Sequence, residues 1–251
     1  MPRRDPNPTA SLAQILFEQG FGTRREVAGL LERGAVCVAG RVVSDGLERF
    51  ATGGLSVVVD GMPWPVHERA VVMLHKPAGY ECSAKPGAWP SVLSLLPAPL
   101  LRRGVQPVGR LDQDTTGLLL LTDDGTLLHR LTSPRWHVPK IYRVQTARPV
   151  DEAQVQALRA GVVLRDDPKP AVATRAEVTG PMALELVLTE GRYHQVKRML
   201  AAVGNHVESL HRHAIGALEL PTDLAPGQWR WVPAEAVDTF VARMGPARPD
   251  A

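Results

Sequence analysis

The sequence predicts an α+β fold built around a mixed sheet. Strand-like and helix-like segments alternate irregularly along the 251 residues, and several neighbouring strands are separated only by short turns. Such hairpin-like spacing favours antiparallel pairing, whereas a doubly wound parallel sheet requires regular strand–helix–strand units. The chain length and a hydrophobic content of 44% supply enough apolar surface for a substantial core.

The first part of the chain has the pattern of a small module behind a flexible tail. Thr23 is a good N-cap, and Glu26 three residues later completes a capping box at the start of a helix that ends at Gly34. The Ala39-Gly40 dipeptide marks the tight turn of a hairpin. The segments predicted here are a tail at 1–10, helices at 11–21 and 23–34, a hairpin at 35–43, a strand at 55–61 and a proline-containing linker at 61–69.

The rest of the chain is predicted to form one larger domain over residues 70–244, followed by a tail at 245–251. Pro77 and Pro134 each end the element before them, because proline cannot continue a strand ladder or a helix. The predicted strands lie at 70–77, 117–125, 140–146, 174–180, 182–191 and 206–220, and the predicted helices at 126–134, 151–161, 193–204 and 233–244.

The charge pattern is mildly basic. The formal net charge is +3, and 24 of the 29 basic residues are arginine, which suits bidentate phosphate contacts. Residues 101–150 hold eight basic residues against four acidic ones, a local excess that fits a phosphate-facing surface. An arginine-rich genome and an ordinary solvated face are the alternatives that would give the same counts.

Other features exclude several classes of protein. No apolar run approaches the roughly 20 residues of a membrane helix, and the N-terminus lacks the apolar region of a secretory signal. Two cysteines, Cys37 and Cys82, form neither a disulfide framework nor a metal-ligand pattern. We therefore expect a soluble protein in the cytoplasm that has no membrane partner.

A short polar run directly precedes the most apolar strand. The segment GRLDQDTTGLLLLTDDG (109–125) carries Arg110, Asp112 and Asp114 just before four consecutive leucines. A loop at the end of a buried strand is a position where a rigid scaffold holds functional side chains. Asp112 is the natural candidate anion. Asp114 is alternatively the first residue of an Asx turn, and Asp123–Asp124 read as turn formers.

The helix predicted at 193–204 supplies a candidate cation. Its apolar stripe consists of Val196, Met199, Leu200 and Val203, and Lys197 falls at the edge of that stripe. A lysine in this position usually extends to water, but it can also act as a half-buried counter-ion for a carboxylate. The residues alone thus yield a carboxylate, a cation and a tyrosine-bearing strand, without identifying the reaction.

Four motifs occur in order: HKPAGYECS (75–83), GRLDQDTTGLLLLTDDG, KIYRV (140–144) and EGRYHQVKRM (190–199). Together they strongly resemble the RNA pseudouridine synthases of the RsuA/RluB/RluE/RluF family over about residues 70–232. Residues 11–59 look like the S4 RNA-binding module that precedes the catalytic domain in that family. The resemblance implies an S4-like module followed by a catalytic domain with a largely antiparallel mixed sheet flanked by helices.

The resemblance also implies roles for individual residues. Asp112 corresponds to the catalytic aspartate, Tyr142 to the tyrosine that lies against the target uracil, and Lys197 to the basic partner of the aspartate. Leu210 matches a pocket-wall leucine, and Arg110 is implied to help hold the flipped nucleotide. Two further residues of the fourth motif, His194 and Arg198, form an i,i+4 pair that we expect to contact RNA.

The implied reaction converts uridine to pseudouridine after the base is flipped into a pocket. Asp112 must be ionised to act as nucleophile or base, and a neighbouring cation opposes the effect of burial on its pKa. The product is an isomer, so we expect no metal and no organic cofactor. The alternatives are a synthase acting on 23S rRNA and a non-catalytic rRNA-binding assembly factor.

Two segments, GRYHQVKRMLAAVGNHV and RLTSPRWHVPK, look like the RsuA branch, which modifies 16S rRNA. The branches that act on 23S rRNA tend to have Asn-Arg-Gln where this chain has Tyr193-His194-Gln195. The expected target is the equivalent of uridine 516. We expect the partner to be 16S rRNA within a small-subunit assembly intermediate, and the enzyme to be a monomer.

The S4-like module departs from its family at one place. Such modules usually open with an Arg-Leu-Asp/Asn-Lys run, whereas this chain has Ser11-Leu12-Ala13-Gln14. The remaining candidates for phosphate binding in the module are Arg24, Arg25, Arg33 and Arg41.

Overall fold

The computed structural model describes residues 8–233, 235–237 and 239, and these form two compact units. The first unit contains the described residues up to Ala70 together with Leu96–Val105. The second contains Val71–Leu95 and the described residues from Gln106 onward. Within the described residues, no helix is both long enough and apolar enough to cross a membrane.

The first unit combines short helices with two small antiparallel sheets. The elements of this unit are β1 (Thr9–Ser11), α1 (Leu12–Glu18), α2 (Arg24–Glu32), β2 (Val36–Val38), β3 (Arg41–Val42), β4 (Arg49–Ala51), β5 (Ser56–Val59), β6 (Met62–Pro65) and α3 (Ala98–Arg102). The four-stranded sheet has the order β3-β2-β5-β6, and β1 pairs with β4 in the two-stranded sheet.

Local sequence signals for this unit are mostly confirmed. The Thr23 hydroxyl accepts the backbone N–H of Glu26, and the Glu26 carboxylate accepts the backbone N–H of Thr23, so the capping box is complete. Ala39 and Gly40 have φ values of 49° and 77°, as a two-residue hairpin turn requires. The hairpin over 35–43 and the strand over 55–61 are therefore correct predictions.

Two predictions for this unit are wrong in part. Met62–Pro65 does not belong to a linker but forms β6, paired with β5 through a turn at Asp60 and Gly61 that has φ values of 49° and 79°. The prolines suggested a linker, yet proline is tolerated on an edge strand, and Asp-Gly is a strong hairpin signal. At the start of the chain, Thr9 and Ala10 lie in β1 and not in a tail, while residues 1–7 lie outside the described residues.

The second unit is built on a mixed sheet, which confirms the predicted fold class. Among the described residues the sheet has nine strands. Seven of them follow the order β13-β14-β10-β15-β9-β7-β17, while β8 pairs with β9 and β16 pairs with β15. All pairs are antiparallel except β9 with β15. The strands are β7 (Val71–Lys76), β8 (Gln106–Pro107), β9 (Thr116–Thr122), β10 (Lys140–Thr146), β13 (Arg175–Gly180), β14 (Ala183–Leu188), β15 (Val207–Ile215), β16 (Leu218–Glu219) and β17 (Trp229–Trp231).

Helices flank this sheet, and a small two-stranded sheet lies apart from it. These elements are α4 (Gly125–Thr132), α5 (Glu152–Ala160), α6 (Gln195–Ala202), β11 (Val162–Leu164) and β12 (Asp167–Ala171). The predicted helices at 126–134, 151–161 and 193–204 are thereby confirmed. Asp124 caps α4 by accepting the N–H groups of Thr126 and Leu127, so it starts a helix and is not a simple turn former. The helix predicted at 233–244 lies mostly outside the described residues.

Two apolar clusters form the core of the second unit. In one, α5 and α6 pack against β10 and β14, and the stripe residues Val196, Met199 and Leu200 are buried there. In the other, α4 packs with alternate residues of β7 and β9, including Leu118 and Leu120. All four leucines of β9 are at most 1% exposed, so both faces of this strand are covered.

The parallel contact between β9 and β15 depends on a glycine. Gly117 lies opposite Arg212 and has a φ of 110°. A Cβ atom at this position would lie 2.2 Å from the Arg212 carbonyl oxygen. Only glycine permits both the dihedral angle and the close approach of the two backbones. The polar loop before β9 is thereby held next to β15.

We predict that Gly117→Ala lowers the free energy of unfolding by about 3 kcal/mol, because strain and backbone overlap act together. Urea denaturation of the whole chain measures the loss. Gly125→Ala is the matched control, since a Cβ at Gly125 meets no atom within 4 Å. Equal stability of the two variants would contradict the assignment.

Candidate active site

A cavity of about 740 Å³ opens in the second unit, within the usual size range of ligand pockets. Five of the residues singled out from the sequence line it: Arg110, Asp112, Tyr142, His194 and Leu210. They come from the loop before β9, from β10, from the N-terminus of α6 and from β15. The fold thus gathers residues separated by up to 100 positions around one space.

A buried lysine, which the sequence analysis missed, holds the loop that carries Asp112. The Lys76 ammonium group is fully buried and donates hydrogen bonds to the carbonyl oxygens of Pro77 (3.1 Å), Gln113 (3.1 Å) and Thr115 (2.8 Å). The backbone N–H of Thr115 also donates to the carbonyl oxygen of Asp112 at 3.1 Å. Burial lowers the pKa of Lys76, an effect opposed by the charges of Cys82 and the nearby aspartates.

Lys197 lies between two carboxylates. Its Nζ atom is 2.6 and 2.7 Å from the two carboxylate oxygens of Asp114 and 3.4 Å from Oδ2 of Asp112. Asp114, for which the sequence left an Asx turn as the alternative, is therefore the nearer partner. Asp112, Asp114 and Lys197 are named here the carboxylate–lysine cluster.

The charges within the carboxylate–lysine cluster shift two pKa values in opposite directions. Burial acts to raise the pKa of Asp114, but the hydrogen bonds and the charge of Lys197 outweigh it, so the pKa is lowered. Burial likewise acts to lower the pKa of Lys197, and the two carboxylates reverse the effect, so that pKa is raised. Both partners are stabilised in their charged forms.

His194 approaches Asp112 from the other side. Its Nε2 atom is 3.4 Å from Oδ1 of Asp112, and its ring stacks on that of Tyr193 with a centroid distance of 3.8 Å. The backbone of His194 is left-handed, with a φ of 47°, directly before α6. The Gln195 side chain stabilises this turn by accepting the N–H of Arg192 and donating to Glu190.

Tyr142 and Leu210 reach the cavity from adjacent strands. Tyr142 on β10 lies opposite Arg212 on β15, and Leu210 lies two positions before Arg212 and therefore on the same face. Arg212 and Lys140 also line the cavity. Arg212 was not predicted as a site residue, although an arginine directly before the mostly apolar segment HAIGALEL (213–220) was a visible signal.

The remaining predicted binding residues lie elsewhere. Arg198 pairs with Asp166 and donates to the carbonyl oxygen of Tyr193 at 3.1 Å, and it does not line the cavity. The four arginines of the first unit have separate surroundings, and their contact with RNA stays a prediction. Arg33 forms an ion pair with Asp60 at 2.7 Å, and Arg41 forms one with Glu48. The guanidinium group of Arg24 lies 5.9 Å from the ring centroid of Phe17. Arg25 is exposed.

The site has no arrangement suited to a metal. Among residues 8–233, 235–237 and 239, no three His, Cys, Asp or Glu side chains cluster in a way that could hold a metal ion. Cys82 lines the cavity, and burial raises the pKa of its thiol. The groups available for chemistry are therefore carboxylates, cations, an imidazole and a phenol.

Comparison with known proteins decides the family. Residues 70–202 match the family model described as RNA pseudouridylate synthase. The chain is 40% identical over 230 residues to ribosomal small subunit pseudouridine synthase A of Pasteurella multocida, which covers 91% of this chain and 98% of that protein. The chain belongs to the RNA pseudouridylate synthase family. The predicted family and the predicted enzyme class are thereby confirmed.

Two further comparisons cover nearly the whole synthase. Ribosomal small subunit pseudouridine synthase A of Escherichia coli K12 is 43% identical over 228 residues, which span 89% of this synthase and 96% of the relative. A crystal structure of a pseudouridylate synthase matches with a TM-score of 0.66 and 34% identity, covering 92% of this chain and 99% of the other. The similarity therefore extends well beyond the catalytic motifs.

We predict that Lys76→Met destabilises the synthase by about 2 kcal/mol, because three carbonyl oxygens lose a charged donor. Chemical denaturation measures the change. Lys85→Met serves as the control, since its side chain lies on the exposed surface. Unchanged stability in Lys76→Met would show that the ammonium group does not hold the loop.

The lowered pKa of Asp114 gives a pH-dependent prediction for Lys197→Met. A carboxylate with a lowered pKa stabilises the fold above its usual value of 3.8, and this contribution disappears as the pH falls through the lowered value. The variant should therefore be less stable than the wild type at pH 7, with a difference that narrows below pH 3.8. Urea denaturation across pH checks this, with the exposed-site variant Lys169→Met as the control. A pH-independent difference would contradict it.

Proposed function

We propose that this enzyme converts one uridine of 16S rRNA to pseudouridine, at the equivalent of uridine 516. Relatives that align over 96–98% of their length are named for the ribosomal small subunit, which supports this substrate. The observation that carries the proposal is the placement of the Asp112 carboxylate at the cavity wall, within 3.4 Å of both Lys197 and His194.

The cavity suits a base flipped out of RNA. Extrusion of a base costs a few kcal/mol of stacking, which contacts inside the pocket must offset. Tyr142 offers an aromatic face to the uracil, and stacking of one base contributes about 1–3 kcal/mol. Leu210 forms part of the apolar wall, and it is 7% exposed.

Asp112 acts as the catalytic group. Lys197 and His194 lie on its two sides, each 3.4 Å from one of its carboxylate oxygens. The carboxylate serves as nucleophile or base, the C1′–N1 bond breaks with its electron pair left on the base, and the base turns. C5 then bonds to C1′ through that electron pair, and the proton of C5 is transferred to N1. No atom is gained or lost, so the reaction requires no co-substrate.

RNA is held by cationic side chains outside the reacting centre. Arg110 is exposed at the cavity and contacts the phosphates of the flipped nucleotide. His194 and Arg198 contact the same strand. The S4-like module of residues 11–60 binds RNA through Arg24, Arg25, Arg33 and Arg41. The catalytic domain lies within the predicted range 70–244, without Ala70 and Leu96–Val105, which belong to the first unit. The enzyme acts as a cytoplasmic monomer on a small-subunit assembly intermediate.

The decisive experiment is pseudouridine mapping of rRNA from cells that lack the gene. We expect one 16S site to be lost, then restored by the wild type and not by Asp112→Asn, whose single-turnover rate should fall by about 10⁴-fold. The control is Asp223→Asn, an exposed aspartate outside the cavity, which should restore the site fully.

Three outcomes would overturn parts of the proposal. Loss of a 23S site would replace the substrate but keep the chemistry. Restoration by Asp112→Asn would indicate a binding or assembly role without catalysis. No change in either rRNA would require a different RNA substrate.

A further inference from the structure

Two cationic side chains in the cavity lack a counter-ion among the described residues. Lys140 on β10 and Arg212 on β15 both line it. Within the described part of the chain, neither side chain forms an ion pair. These two residues are named here the Lys140–Arg212 pair.

Arg212 is deeply buried, and its guanidinium group uses only part of its hydrogen-bonding capacity within the described residues. It is 4% exposed, and its Nε atom donates to the carbonyl oxygen of Leu118 at 2.8 Å. Its Nη2 atom is buried and has no hydrogen-bond partner among the described residues. A buried donor of a charged group without a partner costs free energy, so its retention suggests a partner that comes from outside the chain.

Lys140 has apolar cross-strand neighbours. The residues opposite it are Leu188 on β14 and Ile215 on β15, which are 2% and 3% exposed. Burial, aided by the charge of Arg212, lowers the pKa of Lys140 to about 8. A cation is placed here without compensation, and such an arrangement is typical of a site that meets negative charge during function.

The Lys140–Arg212 pair flanks the tyrosine assigned to the uracil. Lys140 and Tyr142 are two residues apart on one strand, so their side chains emerge on the same face. Arg212 lies directly opposite Tyr142 on the neighbouring strand. All three line the same cavity.

We propose that Lys140 and Arg212 form a cationic site that stabilises negative charge on the carbonyl oxygens of the uracil during isomerisation. This inference rests on the proposed function. When the C1′–N1 bond breaks, its electron pair remains on the base and is delocalised from N1 onto O2 and O4. After the base turns, this electron pair forms the new C5–C1′ bond, and the base becomes neutral. Transfer of the proton from C5 to N1 then completes pseudouridine.

Burial favours the base over a phosphate as the occupant. Arg212 is 96% hidden from solvent by its own fold, whereas Arg110 on the same cavity is exposed and available to phosphates. Fixed donors that face developing charge in a site of low polarity act mainly in the transition state. The Lys140–Arg212 pair should therefore affect the rate of reaction much more than the affinity for RNA.

The test measures single-turnover pseudouridine formation and the RNA dissociation constant separately. For Lys140→Met we expect a rate lower by about 10²-fold, with RNA affinity changed less than twofold. The thermal midpoint should be equal or higher, because an uncompensated cation is removed. Lys169→Met, an exposed lysine of the same unit, is the matched control and should keep the wild-type rate.

Conservative variants keep the inference testable if a methionine variant fails to fold. In Lys140→Arg the side chain at position 140 stays charged throughout the pH range, whereas Lys140 loses its proton above its pKa of about 8. The ratio of the variant's rate to the wild-type rate should therefore rise as the pH increases above 8. The cross-strand neighbours of Lys140, Leu188 and Ile215, do not titrate. The titratable groups on the same cavity include Asp112, Glu190, His194 and Tyr142, and they are present in both the wild type and Lys140→Arg. The difference between the two pH–rate profiles therefore reports on position 140. Arg212→Lys should reduce the rate and leave RNA affinity unchanged.

Failure of this inference can be distinguished from failure of the proposed function. If Lys140→Met and Arg212→Lys both react at the wild-type rate, the inference is wrong. If the loss appears in RNA affinity and grows with salt, the pair binds a phosphate and the inference is also wrong. If the wild type forms no pseudouridine in 16S rRNA, the proposed function fails instead.

Discussion

The candidate active site depends on one buried ammonium group. Lys76 fixes the carbonyl oxygens of Gln113 and Thr115 and thereby sets the path of the loop between Asp112 and the start of β9. Because the hydrogen bonds go to backbone atoms, they control the loop regardless of the side chains that it presents. The adjacent Gly117 then lets β9 and β15 approach at backbone distance. Together these two features bring Asp112 and the residues of β15 to the same cavity.

Charges at this cavity are separated by depth. The carboxylate–lysine cluster is partly open to solvent, with side chains 26–51% exposed, whereas Arg212 is almost fully covered. The carboxylates and their counter-ion therefore occupy the accessible region, whereas Arg212, which has no ion-pair partner among the described residues, occupies the covered one. These groups come from different elements, since the outer ones belong to a loop and to α6 and Arg212 belongs to β15.

The sequence predicted local features better than contacts across the sheet. The capping box at Thr23, the turn at Ala39-Gly40 and the buried strand with four leucines follow from neighbouring residues, and all are found. The strand at Met62–Pro65 was missed because its prolines are acceptable only at a sheet edge, which is a property of tertiary pairing. α3 was also missed, because a helix of five residues gives little periodicity.

The same limit applied to the site. The motifs indicated Asp112, Tyr142 and Lys197, and the structure brings all three to one region. The motifs could not show that Lys197 pairs with Asp114 as well as with Asp112, or that Lys76 donates hydrogen bonds to backbone carbonyl oxygens. Both contacts join residues far apart in the chain. Arg212 was hidden for a similar reason. Its burial follows from the parallel pairing of β9 and β15, and no local pattern encodes that pairing.

The sharing of one ammonium group between two carboxylates has a consequence for the charge beside the cavity. The formal charges of Asp112, Asp114 and Lys197 sum to one negative charge next to the wall that Asp112 forms. Under the proposed function, this cluster repels a phosphodiester group but not an uncharged uracil. Contacts with phosphates would then fall to exposed cations such as Arg110.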